Sequence, residues 1–196
     1  MSFKAGITGD IASGKSTVTS YLRSKGFTVV DADAISHSLT GDGAPVLKVI
    51  DRQFPGVVRG GWLDRKMLAE IVFFDPEKRK QLNEILHPLI REEIERQLNV
   101  PERVVFLDAP LLFEAGYEEE MDVIIYLALE EELQMERLIK RDRLSRWEAQ
   151  ARIHSFDIPR EEKMQKSYVI DNSGSMEELL EKVDEFLDAF DLLEVR

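Results

Sequence analysis

The chain has 196 residues, 43% of them hydrophobic, which suits one domain, or one domain with a sizeable insertion, and excludes wholesale disorder. Its formal net charge of −12, from 26 basic and 38 acidic side chains, argues against a general nucleic-acid binder and makes any local basic cluster informative. It has no cysteine, which removes disulfides, cysteine-ligated metals and a cysteine nucleophile, and no apolar run approaches the length of a membrane span.

The first residues, Met-Ser-Phe-Lys-Ala-Gly-Ile-Thr, enter a strand directly, without a charged leader or apolar signal segment, so a soluble cytoplasmic protein is expected. That strand, Phe3–Thr8, is followed by a turn over Gly9–Ser16 and a helix on which Val18, Tyr21 and Leu22 recur at helical spacing. A second strand reads over Phe27–Asp31. From Ala34 to Val100 no strand is convincing. Short helical segments there are punctuated by Gly41, Gly43, Pro45, Pro55, Gly60-Gly61 and His87-Pro88. Asp75-Pro76 supplies a cap residue followed by proline at the first helical position.

Strands return over Val104–Asp108 and Val123–Leu127. Between Glu130 and Lys166 only helices read, one of them opened by the capping box Ser145-Arg-Trp-Glu148. Residues 137–146 in this region carry five positive charges against one negative, a place to grip an anionic ligand. A last strand, Tyr168–Ile170, leads through the capping box Ser175-Met-Glu-Glu178 into a helix from about Met176 to Phe190. On that helix Leu179, Leu180, Val183, Phe186 and Leu187 form a core-facing stripe. The alternation predicts an α/β fold: a parallel sheet of five strands flanked by helices and carrying two helical insertions. The expected division is a core of 1–33, 101–129 and 167–196, an insertion at 34–100 and a second at 130–166.

Gly9-Asp10-Ile11-Ala12-Ser13-Gly14-Lys15-Ser16 satisfies G-x-x-x-x-G-K-[ST], the phosphate-binding loop, at a strand-to-helix turn, with Thr17 following it. Its glycines let backbone N–H groups converge on phosphate oxygens, and the following helix points its positive end at the anion. Lys15 has the reach for the β- and γ-phosphates, and the Ser16 hydroxyl is a ligand type for Mg²⁺. The turn is therefore expected to cradle a nucleoside triphosphate. A GTPase would need N-K-x-D near a late strand, and the sequence has none; Asp171-Asn-Ser-Gly174 matches D-x-x-G but follows the last strand, so it reads as coincidence. An ATP-driven motor would be larger. Two helical insertions suit the lid and acceptor pocket of a small phosphotransferase.

The acceptor side carries several candidates with two readings each. Asp31 and Asp33 close a strand at its carboxyl end, where ligands bind in open α/β sheets. Asp33 is there either to accept a hydroxyl proton or to cap a helix beginning at Ala34. Asp108 ends an apolar strand, as a magnesium partner would and as a turn acid would. Arg137 and Arg141 share a helix face, either as lid cations over a transferring phosphoryl group or as a solvated face paired with Glu132, Glu136 and Asp142. His87-Pro88 reads as the division between two helical segments.

Along nearly its whole length the sequence resembles dephospho-CoA kinase. The matching stretches are Gly6 to Thr17, Asp31-Ala-Asp33, Ile85-Leu-His87-Pro88, Asp108-Ala-Pro-Leu-Leu-Phe-Glu114, Glu136-Arg-Leu-Ile-Lys-Arg141 and Val169-Ile-Asp-Asn172. The resemblance implies a P-loop kinase fold with a helical CoA-binding insertion and a lid. It implies transfer of the γ-phosphate of ATP, as co-substrate with Mg²⁺, to the 3′-hydroxyl of dephospho-CoA. Asp33 then becomes the acceptor-hydroxyl acid, acting with Lys15 and Arg141, while Arg137 joins Arg141 in the lid. His87, Pro88, Leu111 and Phe113 fall to the acceptor pocket, Asn172-Ser173-Gly174 to the turn beside the adenine, and Ser16 and Asp108 to the metal. His37, Phe156 and Ser167-Tyr168 depart from the usual pattern. No nucleic-acid, membrane or obligatory protein partner is implied. The alternatives are a kinase for another small acceptor, such as a nucleoside monophosphate, and a nucleotide-dependent binding switch.

Overall fold

The computed structural model describes residues 2–73, 75–155 and 158–193. The strands lie within one residue of their sequence-derived limits. They are β1 (Phe3–Gly9), β2 (Thr28–Asp31), β5 (Val104–Asp108), β6 (Val123–Ala128) and β7 (Tyr168–Asp171), in the sheet order β2-β5-β1-β6-β7. The sheet is parallel, which is why its strands read as continuous apolar runs rather than alternating ones: helices cover both faces. Strand β1 is central. Its register sets Ile7 beside Asp108 of β5 and Thr8 beside Tyr126 of β6. The carboxyl ends of three strands therefore converge where the phosphate-loop motif begins.

Between the strands run α1 (Lys15–Ser24), α2 (Ala32–Leu39), α3 (Leu47–Gln53), α4 (Arg65–Phe73) and α5 (Pro76–Leu98). After β6 come α6 (Glu131–Asp142), α7 (Arg146–Ile153), α8 (Arg160–Gln165) and α9 (Met176–Ala189), and β3 (Val58–Arg59) and β4 (Trp62–Leu63) form a small separate hairpin. Among the described residues, no helix is long and apolar enough to cross a membrane. The chain folds as two compact units, Met1–Val30 with Val100–Arg196, and Asp31–Asn99.

In the first unit, Val18 and Leu22 of α1 and Leu179, Val183, Phe186 and Leu187 of α9 pack with Ala5, Ile7, Phe106, Ile125 and Leu127 of the sheet. Each fully buried side chain of this size stabilises the fold by about 1.5–3 kcal/mol. Both capping boxes form as the sequence predicts, with the Ser145 and Ser175 side chains accepting from the backbone N–H groups of Glu148 and Glu178. The second unit has its own apolar core of Val46, Leu47, Ile50, Phe54, Val57 and Leu68.

Three expectations are corrected there. Helix α5 runs unbroken through His87-Pro88. The proline forfeits one intrahelical bond, but Ile85, Leu86 and Leu89 pack against the apolar core on either side of it, and the Asp75 carboxylate caps the start. The β3–β4 hairpin occupies a stretch read as strandless, because two-residue strands are too short to show alternation; its Gly60-Gly61 turn takes positive φ at both residues, as tight hairpins require. Helix α2 starts at Ala32 rather than Ala34. Asp31, in extended conformation, is its cap and accepts from Ala34 N at 2.8 Å, so Asp33 lies inside the first turn.

Candidate active site

The turn after β1 has the geometry of an anion cradle. Gly9 has φ 153°, and a Cβ there would run into the Leu127 backbone of β6, so only glycine lets the two strands approach. Ala12 is left-handed at φ 59°, and Gly14 caps α1 with φ 88° and no side-chain hydrogen bond. A Cβ on Gly14 would lie 2.6 Å from Asn172 Nδ2. With no side chain capping it, the first turn of α1 leaves the N–H groups of Lys15 and Ser16 for an anion, while that of Thr17 turns to Gly14 O at 2.9 Å.

Around this turn the structure gathers several of the sequence-derived candidates. Lys15 Nζ donates to Asp108 Oδ1 at 2.8 Å, both side chains being mostly buried. Ser16 stands exposed in the first turn of α1. Asn172 Nδ2 donates to Ser13 O at 2.8 Å, tying the turn after β7 to the loop. Arg137 spans the same two pieces, donating from Nη1 to Ala12 O and from Nη2 to Asn172 O at 3.4 and 3.3 Å. Ser173 turns its hydroxyl back onto Asp171, and Gly174 follows it, exposed.

Arg141 is not brought to the loop. Its guanidinium forks onto Asp142, with Nε 2.8 Å from Oδ1, and Asp142 also receives Arg152. The hydrogen bond from Arg141 holds the Asp142 carboxyl below its ordinary range. Of the acids expected to pair with a solvated arginine face, Asp142 does so, while Glu132 pairs with Arg146 instead.

Two polar groupings, built on the buried Asp10 and Lys163, have no counterpart in the sequence reading. Asp10, 8% exposed, accepts from Tyr126 Oη at 2.6 Å, from Leu129 N at 2.8 Å and from Arg160 Nε at 3.0 Å. Burial first, then the Asp10 carboxylate, pushes the Tyr126 hydroxyl up, and the hydrogen bond to Asp10 raises Arg160. Glu114, from the stretch after β5, pairs with the buried Lys163 of α8. A cavity of about 320 Å³ opens between these groups, lined by Gly9, Asp10, Tyr126, Gln134, Arg160 and Lys163. The partners lie 49 to 150 residues apart in sequence, so no local pattern could have announced them.

In the other unit Asp33 is exposed in the first turn of α2, and His87 and Pro88 are exposed on α5. His87 and Pro88 border a groove of about 580 Å³ with Arg79, Lys80, Asn83 and Glu84. Leu111 and Phe113, paired in the sequence reading, separate: Leu111 is exposed, and Phe113 is buried. Among the described residues no cluster of three or more His, Asp or Glu side chains could hold a metal alone. One hydroxyl (Ser16) and one carboxylate (Asp108) fit an ion that keeps its waters and leans on nucleotide phosphates.

The family model for dephospho-CoA kinase matches residues 4–178. A dephospho-CoA kinase from Bacillus licheniformis is 42% identical over 200 residues, covering 99% of this chain and 100% of the relative. The chain belongs to the dephospho-CoA kinase family. Two solved structures are similar to it along nearly the whole chain. The crystal structure of TT1252 from Thermus thermophilus matches at TM-score 0.83 and 38% identity, over 96% of this chain and 97% of that one. Dephospho-CoA kinase from Campylobacter jejuni matches at TM-score 0.73 and 33% identity, over 96% and 99%.

Within this family member, two of the departures noted in the sequence, Ser167 and Tyr168, make local side-chain contacts. Tyr168 packs its ring on Phe186 and Phe190, centroids 5.2 and 6.1 Å away, and Ser167 Oγ donates to Lys163 O. At His37 the backbone carbonyl accepts from Arg65 on α4, a contact any residue could make, and the structure does not explain the histidine itself. Phe156 lies outside the described residues.

Proposed function

We propose that the protein transfers the γ-phosphoryl group of ATP to the 3′-hydroxyl of dephospho-CoA, giving coenzyme A and ADP. The observation that carries this reading is an uncapped, glycine-shaped phosphate loop, with Lys15 poised beside it, in a chain that matches the dephospho-CoA kinase family from residue 4 to 178. Gly9 to Thr17 form the cradle for the triphosphate. The N–H groups of Asp10, Ser13 and Thr17 shape it through bonds to Leu127 O, Asp10 O and Gly14 O, and Lys15 exchanges Asp108 for phosphate oxygens. Mg²⁺, held by Ser16 and Asp108 with the nucleotide, would offset charge on the phosphates.

Asp33 orients the acceptor hydroxyl. In a loose transition state the attacking oxygen needs little early activation, so the carboxylate takes its proton late. Arg137 stays with the loop. Arg141 gives up Asp142 to meet charge developing on the transferred group, and Asn172 to Gly174 border the adenine. On this reading 1–33, 101–129 and 167–196 form the nucleotide core, 34–100 binds the CoA moiety through His87, Pro88 and neighbours, and 130–166 is the lid. Leu111 contributes an acceptor wall directly, whereas Phe113 supports it from the core. The reaction as proposed involves no membrane, nucleic acid or protein partner, and a cytoplasmic location suits its soluble substrates.

An acceptor panel tests the assignment. Release of ADP from Mg-ATP is expected to rise strongly with dephospho-CoA and negligibly with nucleoside monophosphates. Equal stimulation by a nucleoside monophosphate would move the assignment to another small-acceptor kinase; no stimulation by any acceptor would leave a binding switch.

A further inference from the structure

A carboxylate is an awkward occupant of an anion-binding turn. Asp10 follows Gly9 at the mouth of the phosphate loop, and a free negative charge there would repel the phosphates the loop is shaped to hold. The structure answers this with contacts on both oxygens. Oδ1 accepts from Tyr126 Oη and from Arg160 Nε; Oδ2 accepts from Leu129 N and from the same guanidinium, with Arg160 Nη2 at 2.9 Å. Those donors come from β6, the residue after it and the start of α8, so the carboxylate is committed to the protein side of the turn. Arg160 also donates to Leu129 O at 3.3 Å, which sets its fork in place. The two charges cancel beside the loop.

We propose that Arg160 is the charge-compensating residue of the phosphate loop: it neutralises Asp10 and turns its carboxylate away, so ATP meets a loop carrying no uncompensated negative charge. This rests on the loop being the ATP site. Arg160 is then a positioning residue, acting through Asp10 rather than by touching the nucleotide. The pair also fastens the start of α8 to the phosphate loop. Two residues 150 positions apart thus answer for a single local charge problem.

The sign of the charge left behind separates this role from mere structural support. Arg160→Ala leaves a net negative charge, Asp10→Asn a net positive one, and the double variant none. ATP dissociation constants measured by calorimetry on the full chain are expected to fall in that electrostatic order. Asp10→Asn should bind ATP about 2- to 5-fold tighter than the parent, Arg160→Ala about 5- to 10-fold weaker, and the double variant within about 2-fold of the parent. The differences should shrink as salt is raised.

A structural prop would weaken binding in every variant, so looser binding by Asp10→Asn overturns the proposal even if Arg160→Ala fails to fold. A double variant as weak as Arg160→Ala overturns it too, because Arg160 would then be gripping the nucleotide itself. Lys15→Ala serves as the control. If it loses ATP affinity while Arg160→Ala does not, this inference alone fails; if Lys15→Ala keeps full affinity, the reading of the loop fails and takes the inference with it.

Discussion

The phosphate end of the sheet and the helical segment 31–99 keep the side chains with proposed chemistry in different settings. Around the loop polar side chains are buried and committed: Asp10 to Arg160 and Tyr126, Lys15 to Asp108, Asn172 to Ser13, and Glu114 to Lys163. In segment 31–99 one buried polar side chain, Thr40, is tied to Ser36 O and Arg65, whereas the side chains with proposed chemistry, Asp33 and His87, stand exposed on helices. The difference teaches where each region keeps its function. At the loop, on the reading proposed above, side chains hold and charge-balance a backbone that binds phosphate, so substitutions there should move ATP affinity. In segment 31–99, proposed above to bind the acceptor, replacing Asp33 should cost turnover far more than stability, because Asp31 caps α2.

The sharpest way to break that contrast is Asp33→Asn. Turnover should fall about 10²–10⁴-fold, the usual worth of a positioned acid–base group. Stability should change far less than turnover, since the cap of α2 is Asp31 and asparagine keeps the size of Asp33. Melting curves and CoA formation measured side by side check it. An active Asp33→Asn enzyme would hand the role to another acid and dissolve the contrast.

Lys15→Ala probes the other region. Its turnover should drop by about 10²–10³-fold through lost charge stabilisation. It should also melt lower than the parent, because Asp108, 12% exposed at its side chain, is left without its cation. Full thermal stability with near-normal turnover would remove both the catalytic and the structural half of the reading.

Arg141→Ala should lower kcat by about 10²-fold while the Kd for dephospho-CoA changes little, as expected of a cation that acts in the transition state. Arg141→Lys should recover only part, because an ammonium cannot present the planar fork. A change confined to acceptor affinity would make the cluster an acceptor-binding patch.

The smallest effect belongs to Asp31→Ala. It removes the α2 cap and should cost about 1 kcal/mol, or a few degrees of melting temperature, with turnover within about 3-fold of the parent. A large loss of turnover with unchanged melting would exchange the roles of Asp31 and Asp33.

The sequence made the strands and the loop legible because both are local: apolar runs bounded by turn residues, and a spacing of glycines, lysine and hydroxyl that only a phosphate cradle requires. The capping boxes were legible for the same reason, being reciprocal bonds between residues three apart. Helix α5 was misjudged at Pro88 because a local rule about proline was set against tertiary packing by Ile85, Leu86 and Leu89, and packing prevailed. The cap of α2 was off by two residues because Asp31 and Asp33 are equally good caps, and only the backbone angle at Asp31 decides between them. Arg160 and Lys163 were missed outright. Their partners Asp10 and Glu114 are brought to them by sheet order, which charge patterning along the chain does not encode.

The most direct test of the account is to incubate the wild-type protein with Mg-ATP and dephospho-CoA and locate the added phosphate by fragmentation mass spectrometry. The account predicts one product, coenzyme A with its new phosphoryl group on the ribose 3′-hydroxyl, formed one-for-one with ADP. A phosphoryl group at any other position, or ADP released without a phosphorylated acceptor, would contradict it.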